Sequence, residues 1–332
     1  MDQRQQQLQH WLQTVCQLPP YTLETMRSDA SFRRYFRVNV AGRSYVVMDA
    51  PPERETNTLA FVTLARALRA KGVTVPDVIV EDVAQGFLLL TDFGDSLYLN
   101  ELTSVNVDKL YGLAMTALAR LQACGELNLA AFSAEFMYKE LQTSKEWFLQ
   151  KHLALELSAA TEKMLADYFY FLAEVSAAQP QVFMHRDYQS GNLLVLPDEQ
   201  VGILDFQDAF VGPLTYDLVS LLRDCYIAWP EAWVTRWALQ YKNSIPALSA
   251  ERDEVFLKWF DIMGMQRHLK ALLTFTRKFH RDGNANYLQH LPRTLNYVLA
   301  TTQRYPEAAA FHEFLTATVI PQLAKVTTLC AE

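Results

Sequence analysis

Hydrophobic and polar positions follow two different rhythms in this chain, and the change comes near residue 95. A polar opening segment, Asp2 to Val15, predicts a helix that stops at Pro19-Pro20. Tyr21 to Arg27, Arg34 to Val40 and Ser44 to Asp49 then predict short strands. Ser28-Asp29-Ala30-Ser31 joins the first two, and Ala41-Gly42 turns between the second and third. After Pro51-Pro52, the stretch Asn57 to Lys71 carries Phe61, Leu64, Ala65 and Leu68 at the i, i+3, i+4, i+7 spacing of an amphipathic helix stopped by Gly72. Val78 to Val80 and Phe87 to Leu90 add two more strands.

From about Leu97 the period lengthens. Helices are predicted over Asn106 to Cys124, Ala134 to Leu153, Ser158 to Ala178, Leu214 to Ile227, Ala232 to Asn243, Glu251 to His280 and Tyr287 to Tyr305. One strand-like island, Val182 to Phe206, interrupts them, with apolar runs at Val182-Phe183-Met184, Leu193 to Leu196 and Val201 to Leu204 separated by polar loops. The pattern predicts an α+β chain in two lobes: a small β-rich lobe over 1–95, a connector at 91–95, and a large helical lobe over 96–332. Ligands favour clefts between such lobes.

Composition narrows the function. Half of the 332 residues are hydrophobic and 20% are charged, too apolar for a disordered chain. Thirty basic against thirty-seven acidic residues leave a formal charge of −7, which argues against a general nucleic-acid binder. Cys16, Cys124, Cys225 and Cys330 lie far apart with no CxxC spacing and read as reduced thiols. The N-terminus lacks a basic start and apolar h-region, and no apolar run reaches a membrane span, so a soluble cytoplasmic protein is expected.

Chemistry concentrates in the island, which reads Met184-His185-Arg186-Asp187-Tyr188-Gln189-Ser190-Gly191-Asn192, then Gly202-Ile203-Leu204-Asp205-Phe206-Gln207-Asp208. His-Arg-Asp, four spacers and Asn is the catalytic-loop pattern of kinase-type phosphoryl transfer, and Asp-Phe after an apolar strand is where such enzymes hold a metal. An oxygen nucleophile needs a carboxylate to orient it and accept its proton; Asp187 fits that role. The phosphates need Mg²⁺ on oxygen ligands, and Asn192 with Asp205 fits that pair. The plainer alternative makes these residues Asx turns and a cap. A His-x-Asp-x₄-Asn match arises by chance on the order of once in a hundred such chains, and the added strand-Asp-Phe makes coincidence rarer.

At these residues the chain resembles the aminoglycoside phosphotransferase and choline kinase-like superfamily, relatives of eukaryotic protein kinases. Ser28-Asp29-Ala30-Ser31-Phe32-Arg33-Arg34-Tyr35-Phe36-Arg37, Met48-Asp49-Ala50-Pro51-Pro52, the His185–Asn192 segment and Leu204-Asp205-Phe206-Gln207-Asp208-Ala209 look like the bacterial anomeric amino-sugar kinase family. The likeness runs over nearly the whole chain, through Gly212-Pro213, Tyr216-Asp217-Leu218 and Gln266-Arg267-His268-Leu269-Lys270. It implies a two-lobed protein-kinase-like fold, ATP and Mg²⁺ as cofactors, and phosphorylation of the anomeric hydroxyl of N-acetylmuramate or N-acetylglucosamine in peptidoglycan recycling. A cytoplasmic monomer partnered by a small-molecule sugar, with neither nucleic acid nor membrane, is expected.

Two tripeptides imitate the motifs. Asp92-Phe93-Gly94 precedes the catalytic loop, so chain order places it at the connector, where its backbone faces adenine if the resemblance holds. His280-Arg281-Asp282 has Tyr287 five residues beyond its Asp and reads as a helix end. The third strand departs from the kinase pattern: Met48-Asp49 stands where a phosphate-pairing lysine is expected, and Phe61 stands about where its helix glutamate would be. Losing both avoids a stranded charge. Arg33 and Arg34, which strand alternation sends to opposite faces, are the nearest replacement cations, with Ser31 as a further donor. Asp217 reads as a structural carboxylate at a helix start. Gln189, Arg223 and Arg267 are candidate acceptor contacts, and His268 and Lys270 offer further charge for an acidic sugar. Two other functions compete: the same chemistry on an aminoglycoside or choline, which needs an acidic pocket, and a nucleotide-binding pseudokinase module.

Overall fold

The computed structural model describes residues 2–26, 32–55 and 57–329. The order is α1 (Gln3–Thr14), β1 (Thr22–Thr25), β2 (Arg34–Val40), β3 (Arg43–Asp49), α2 (Thr58–Ala70), β4 (Val78–Asp82), β5 (Phe87–Thr91), α3 (Tyr98–Glu101) and α4 (Val107–Gln122). There follow α5 (Ala134–Ser144), α6 (Ala159–Ala177), β6 (Gln181–Met184), β7 (Leu193–Val195), β8 (Val201–Ile203), β9 (Phe210–Pro213) and α7 (Thr215–Leu222). The chain closes with α8 (Glu231–Ser244), α9 (Asp253–Asp282), α10 (Leu291–Thr302), α11 (Ala309–Phe314) and α12 (Ile320–Leu329). Both the strand-rich start and the helical remainder agree with the α+β expectation.

The chain divides into two compact units, Met1–Leu127 with Gly191–Asp208, and Asn128–Ser190 with Ala209–Glu332. The boundary expected at 95–96 is therefore displaced, and the island at 182–206 is shared between the units. The β7/β8 hairpin explains why. The Val195 amide donates to the Ser96 carbonyl at 2.8 Å, Ile203 N–H to the Thr74 carbonyl at 2.9 Å, and Leu194 bridges Leu97. Gly202 lies under the Phe93 ring, where a Cβ would come within 2.8 Å of Cδ2, so only glycine fits that close approach without a shift.

Among the described residues, the first unit holds a five-stranded antiparallel sheet in the order β1-β2-β3-β5-β4. Along β2 the buried residues are Phe36, Val38 and Val40, the period of two that one buried face demands. They pack with Val47, Phe87 and Leu89 against Leu8, Trp11 and Leu12 of α1. The helix α2 buries Phe61, Val62, Leu64, Ala65 and Leu68, and Phe61 stacks on Phe206 with centroids 4.8 Å apart.

In the second unit α5, α6, α9, α10 and α11 share one apolar core, with Leu141, Phe169, Leu172, Met265, Leu272 and Phe311 among its members. The strand β6 pairs with β9, which the sequence pattern did not suggest because Phe210–Pro213 is short and ends in Gly-Pro. The helix expected over 134–153 continues from α5 as a π-helical segment, Lys145–His152. The last expected helix shrinks to α10, preceded by a 3₁₀ segment, and α11 and α12 were not anticipated. Among the described residues no helix is long and apolar enough to cross a membrane. Cys16, Cys124 and Cys225 are free thiols, whereas Cys330 lies outside the described residues, as do Arg27 and the loop 28–31.

Candidate active site

The base candidate belongs to the second unit, on the loop that leaves β6. Two buried carboxylates anchor that loop. Asp217, on α7, accepts the His185 amide at 2.6 Å and the Arg186 amide at 2.9 Å. Asp224, two residues past α7, accepts the Ser190 amide at 2.9 Å and its hydroxyl at 2.5 Å. The helix expected over 214–227 stops at Leu222, and this early stop frees Asp224 to turn back to the loop. Burial pushes Asp217 up to about 7 against the pull of its two amide donors, and burial likewise raises Asp224. Asp217 is thus structural, as the sequence suggested, but it holds the His185–Arg186 backbone rather than capping a helix.

Arg186 adopts φ 78°, a left-handed conformation that costs a non-glycine residue about 1–3 kcal/mol, which the two Asp217 bonds help to offset. Its guanidinium pairs with Glu140 at 2.6 Å and lies over the Phe210 ring at 5.0 Å. Asp187 differs from the two anchoring carboxylates in being open: its side chain is 38% exposed, while Asp217 and Asp224 are sealed. The Lys270 ammonium stands 3.6 Å from Asp187 Oδ1. Burial alone would raise the Asp187 carboxyl, but Lys270, Arg267, His185 and Arg186 outweigh it and hold it below the usual carboxylate range. An open, ionised carboxylate is what a proton acceptor requires.

The acceptor candidates separate. Gln189 and Arg267 meet: Arg267 Nη2 donates to Gln189 Oε1 at 3.0 Å, while Nε reaches Ser220 Oγ at 2.6 Å and Nη1 reaches Cys225 Sγ at 3.3 Å. Arg267 is 4% exposed and braces the loop through Gln189. Arg223 is corrected: it is buried between Glu231 at 2.6 Å and Asp261 at 2.8 Å, against Phe260, and its charge is used within α7–α9 packing. His268 is corrected too, because burial drives its imidazole down to about 3 and its Nε2 pairs with the Arg223 carbonyl at 2.9 Å, leaving no cation for an acidic sugar. Lys270, a candidate for an acidic sugar in the sequence, pairs with Asp187. His280-Arg281-Asp282 is indeed the end of α9, capped by Gly283 at φ 69°.

The metal and nucleotide candidates belong to the first unit. The Leu204 amide donates to the Asn192 carbonyl at 2.9 Å, so the two expected oxygen donors, Asn192 and Asp205, lie on hydrogen-bonded backbone. Asp205 adopts φ 62°, again left-handed, and accepts Gln207 Nε2 at 2.6 Å. A carboxylate and an amide are the hard oxygen donors that suit Mg²⁺. Asp92 does not imitate a metal ligand: it accepts Arg37 Nε at 2.6 Å and the Gly94 amide at 2.8 Å, an ion pair with an Asx turn, while Phe93 covers Gly202.

Strand alternation decides between the two arginines. Arg34 is corrected: it donates to Asp49 Oδ2 at 2.6 and 3.0 Å and pairs with Asp2, while Arg4 of α1 donates to Asp49 Oδ1 at 2.8 Å. Asp49 is fully buried, so the negative charge that would have faced a triphosphate is instead enclosed by two arginines on the α1 side. Arg33 lies on the other face, 4% exposed, with Glu55 at 3.3 Å and Asn57 Oδ1 at 2.6 Å. Ser31 lies outside the described residues.

Residues 22–254 match the profile described as the phosphotransferase enzyme family. A protein named N-acetylmuramate/N-acetylglucosamine kinase from Pseudomonas aeruginosa is 39% identical over 330 residues, covering 95% of this chain and 96% of that one. The Neisseria meningitidis protein of the same name is 36% identical over 94% of this chain and 95% of its own length. Among solved structures, choline kinase LicA from Streptococcus pneumoniae superposes with a TM-score of 0.64 at 12% identity, over 90% of this chain and 100% of that chain. The GDP complex of aminoglycoside 2'-phosphotransferase-IIIa gives 0.63 at 16%, over 89% and 99%. The kinase-like fold, the curated relatives and the family profile agree, and this chain belongs to the phosphotransferase enzyme family, as a kinase with an alcohol group as acceptor.

Proposed function

We propose that this protein transfers the γ-phosphoryl group of ATP to the anomeric hydroxyl of N-acetylmuramate or N-acetylglucosamine, in the recycling of cell-wall sugars in the cytoplasm. The observation that carries the reading is 39% identity over almost the entire chain to a kinase named for those two sugars. The charges around Asp187 support it. Lys270, Arg267, His185 and Arg186 act on Asp187 together, so its surroundings are not the purely acidic pocket that a cationic aminoglycoside or choline needs.

In this mechanism Asp187 accepts a hydrogen bond from the acceptor hydroxyl and takes its proton as the sugar oxygen bonds to the γ-phosphorus. The bond between that phosphorus and the β–γ bridging oxygen breaks, and ADP departs. Lys270 keeps Asp187 ionised beforehand, and the Asp217 and Asp224 anchors hold the loop so that the carboxylate is already placed. Asn192 and Asp205 would hold Mg²⁺, which would supply neutralising charge to the phosphates. The Asp92-Phe93 backbone is the proposed adenine edge. Incubation of the purified protein with ATP, Mg²⁺ and a panel of amino sugars, aminoglycosides and choline, read by phosphorus NMR, tests the reading. An amino-sugar phosphate is the expected product; a phosphorylated aminoglycoside or choline instead would overturn it.

A further inference from the structure

A triphosphate needs a cation, and neither the third strand nor Arg34 has one to give: β3 ends in buried Met48 and Asp49, and Arg34 with Arg4 encloses Asp49. The opposite face of β2 is different. Tyr35 lies on it, and Arg33, the residue just before the strand, hydrogen-bonds to the Tyr35 phenol. Within the first unit the Arg33 guanidinium reaches the segment that follows the metal-loop carboxylate through hydrogen bonds, by way of Asn57 and Asp208.

The guanidinium is also pre-set. Glu55 faces Arg33 Nε at 3.3 Å and receives the Phe32 amide at 3.1 Å, so one carboxylate orients the side chain and fixes the backbone at its root. Asn57 accepts Arg33 Nη2 at 2.6 Å through its oxygen and donates through its nitrogen to Asp208 Oδ1 at 3.3 Å. That amide links the arginine to the segment Asp205-Phe206-Gln207-Asp208, which the Phe61–Phe206 stack already joins to α2. In protein kinases a third-strand lysine and a helix glutamate form the ion pair beside the metal carboxylate. Here both positions lack those residues, and an Arg–Glu pair from the neighbouring strand start and the loop before α2 is joined through Asn57 to Asp208, three residues beyond the corresponding carboxylate.

We propose that Arg33 is the triphosphate-binding cation of this enzyme, with Glu55 and Asn57 as the positioning residues that hold its guanidinium toward the metal loop. The inference rests on the proposed kinase reading for the presence of ATP, but not on the identity of the sugar. A guanidinium fork matches two phosphate oxygens, so lysine, a point charge, is a partial substitute only. Glu55 shares the guanidinium with the nucleotide rather than contacting it.

The test is calorimetric titration of wild type, Arg33→Ala, Arg33→Lys, Glu55→Gln and Glu55→Asp with ATP and with adenosine, without sugar, followed by steady-state kinetics. Arg33→Ala should lose about tenfold or more in ATP affinity, one strong charge-assisted contact, while adenosine binds as in wild type and shows that the fold survives. Arg33→Lys should fall between. Glu55→Gln should raise KM for ATP severalfold with little change in KM for the acceptor, and Glu55→Asp should recover part of it. An unchanged ratio of ATP to adenosine affinity in Arg33→Ala would overturn the proposal, as would loss of both affinities together in Arg33→Lys. A wild-type protein that shows these nucleotide effects yet phosphorylates no amino sugar would leave this inference standing and remove the acceptor reading.

Discussion

The two units secure their functional residues by different means. In the second, the base loop is held through its backbone: two sealed carboxylates, Asp217 and Asp224, take amides from both ends of His185–Ser190. In the first, the nucleotide-side residues are held through side chains, with Arg33 on Glu55 and Asn57, Asn57 on Asp208, and Arg37 on Asp92 and Asp95. Buried backbone bonds are costly to break and have no competing partner. Side-chain pairs keep charged groups that can re-partner, so they can be shared with an incoming anion. The contrast suits a base that must be in place before the substrate arrives and a phosphate site that completes itself around its ligand.

The largest effect should come from separating the two roles. Asp187→Asn is expected to cost roughly 10²–10⁴-fold in turnover, the range of general-base loss, while ATP affinity stays within a few fold; coupled ADP release and calorimetry measure the two. Near-normal turnover would remove Asp187 from the base role.

Within the first unit, Asp205→Ala should impair Mg²⁺-dependent turnover by at least the roughly 10–100-fold typical of lost outer-shell metal partners. Asn192→Ala should be milder and partly rescued by excess Mg²⁺, because an amide supplies no charge. Metal titrations of both variants that superimpose on wild type would place the metal elsewhere.

The anchoring itself can be broken with Asp217→Ala. Two buried amides lose their acceptor, a loss of about 2–6 kcal/mol at about 1–3 kcal/mol each. Thermal unfolding should show a lowered Tm, and kcat should fall more than KM for ATP. Unchanged Tm and kcat together would mean that the loop does not depend on this carboxylate.

The smallest effect concerns Lys270. Asp187 is held below the usual carboxylate range, so its proton-accepting form persists as pH falls and is lost only below that depressed value. Removing the ammonium takes away the largest of the charges that oppose burial. In Lys270→Met the acid limb of the kcat/KM profile should therefore move to higher pH, with the plateau changed far less; superimposable profiles would remove Lys270 from this role.

The parts legible in the sequence were those carried by local spacing. The kinase-type motif over His185–Asp208, which led to the family, stands out because it is written within a single strand–loop stretch, and α2 and β2 because their apolar periods are regular. What stayed hidden was partnership across distance: Arg4 with Asp49, Ser190 with Asp224 and Glu140 with Arg186 are 34 to 46 positions apart. A charge in a sequence does not announce whether it will be buried against an opposite one. Arg34, Arg223 and His268 were misread for that reason, since Asp49, Asp261 and the Arg223 carbonyl claim them. The unit boundary was misplaced because the β7/β8 hairpin follows the base loop in sequence but pairs with Ser96, Leu97 and Thr74.

The central claim is that the anomeric oxygen of an amino sugar becomes bonded to the γ-phosphorus of ATP. N-acetylglucosamine carrying heavy oxygen at its anomeric position, incubated with the protein, ATP and Mg²⁺ and followed by phosphorus NMR, tests it most directly. The account predicts a sugar phosphate whose phosphorus resonance shows the isotope shift of a directly bonded heavy oxygen, and no such product with Asp187→Asn. A sugar phosphate without the shift would put the phosphoryl group on another hydroxyl, and either that result or the absence of any sugar phosphate from the wild-type protein would contradict the account.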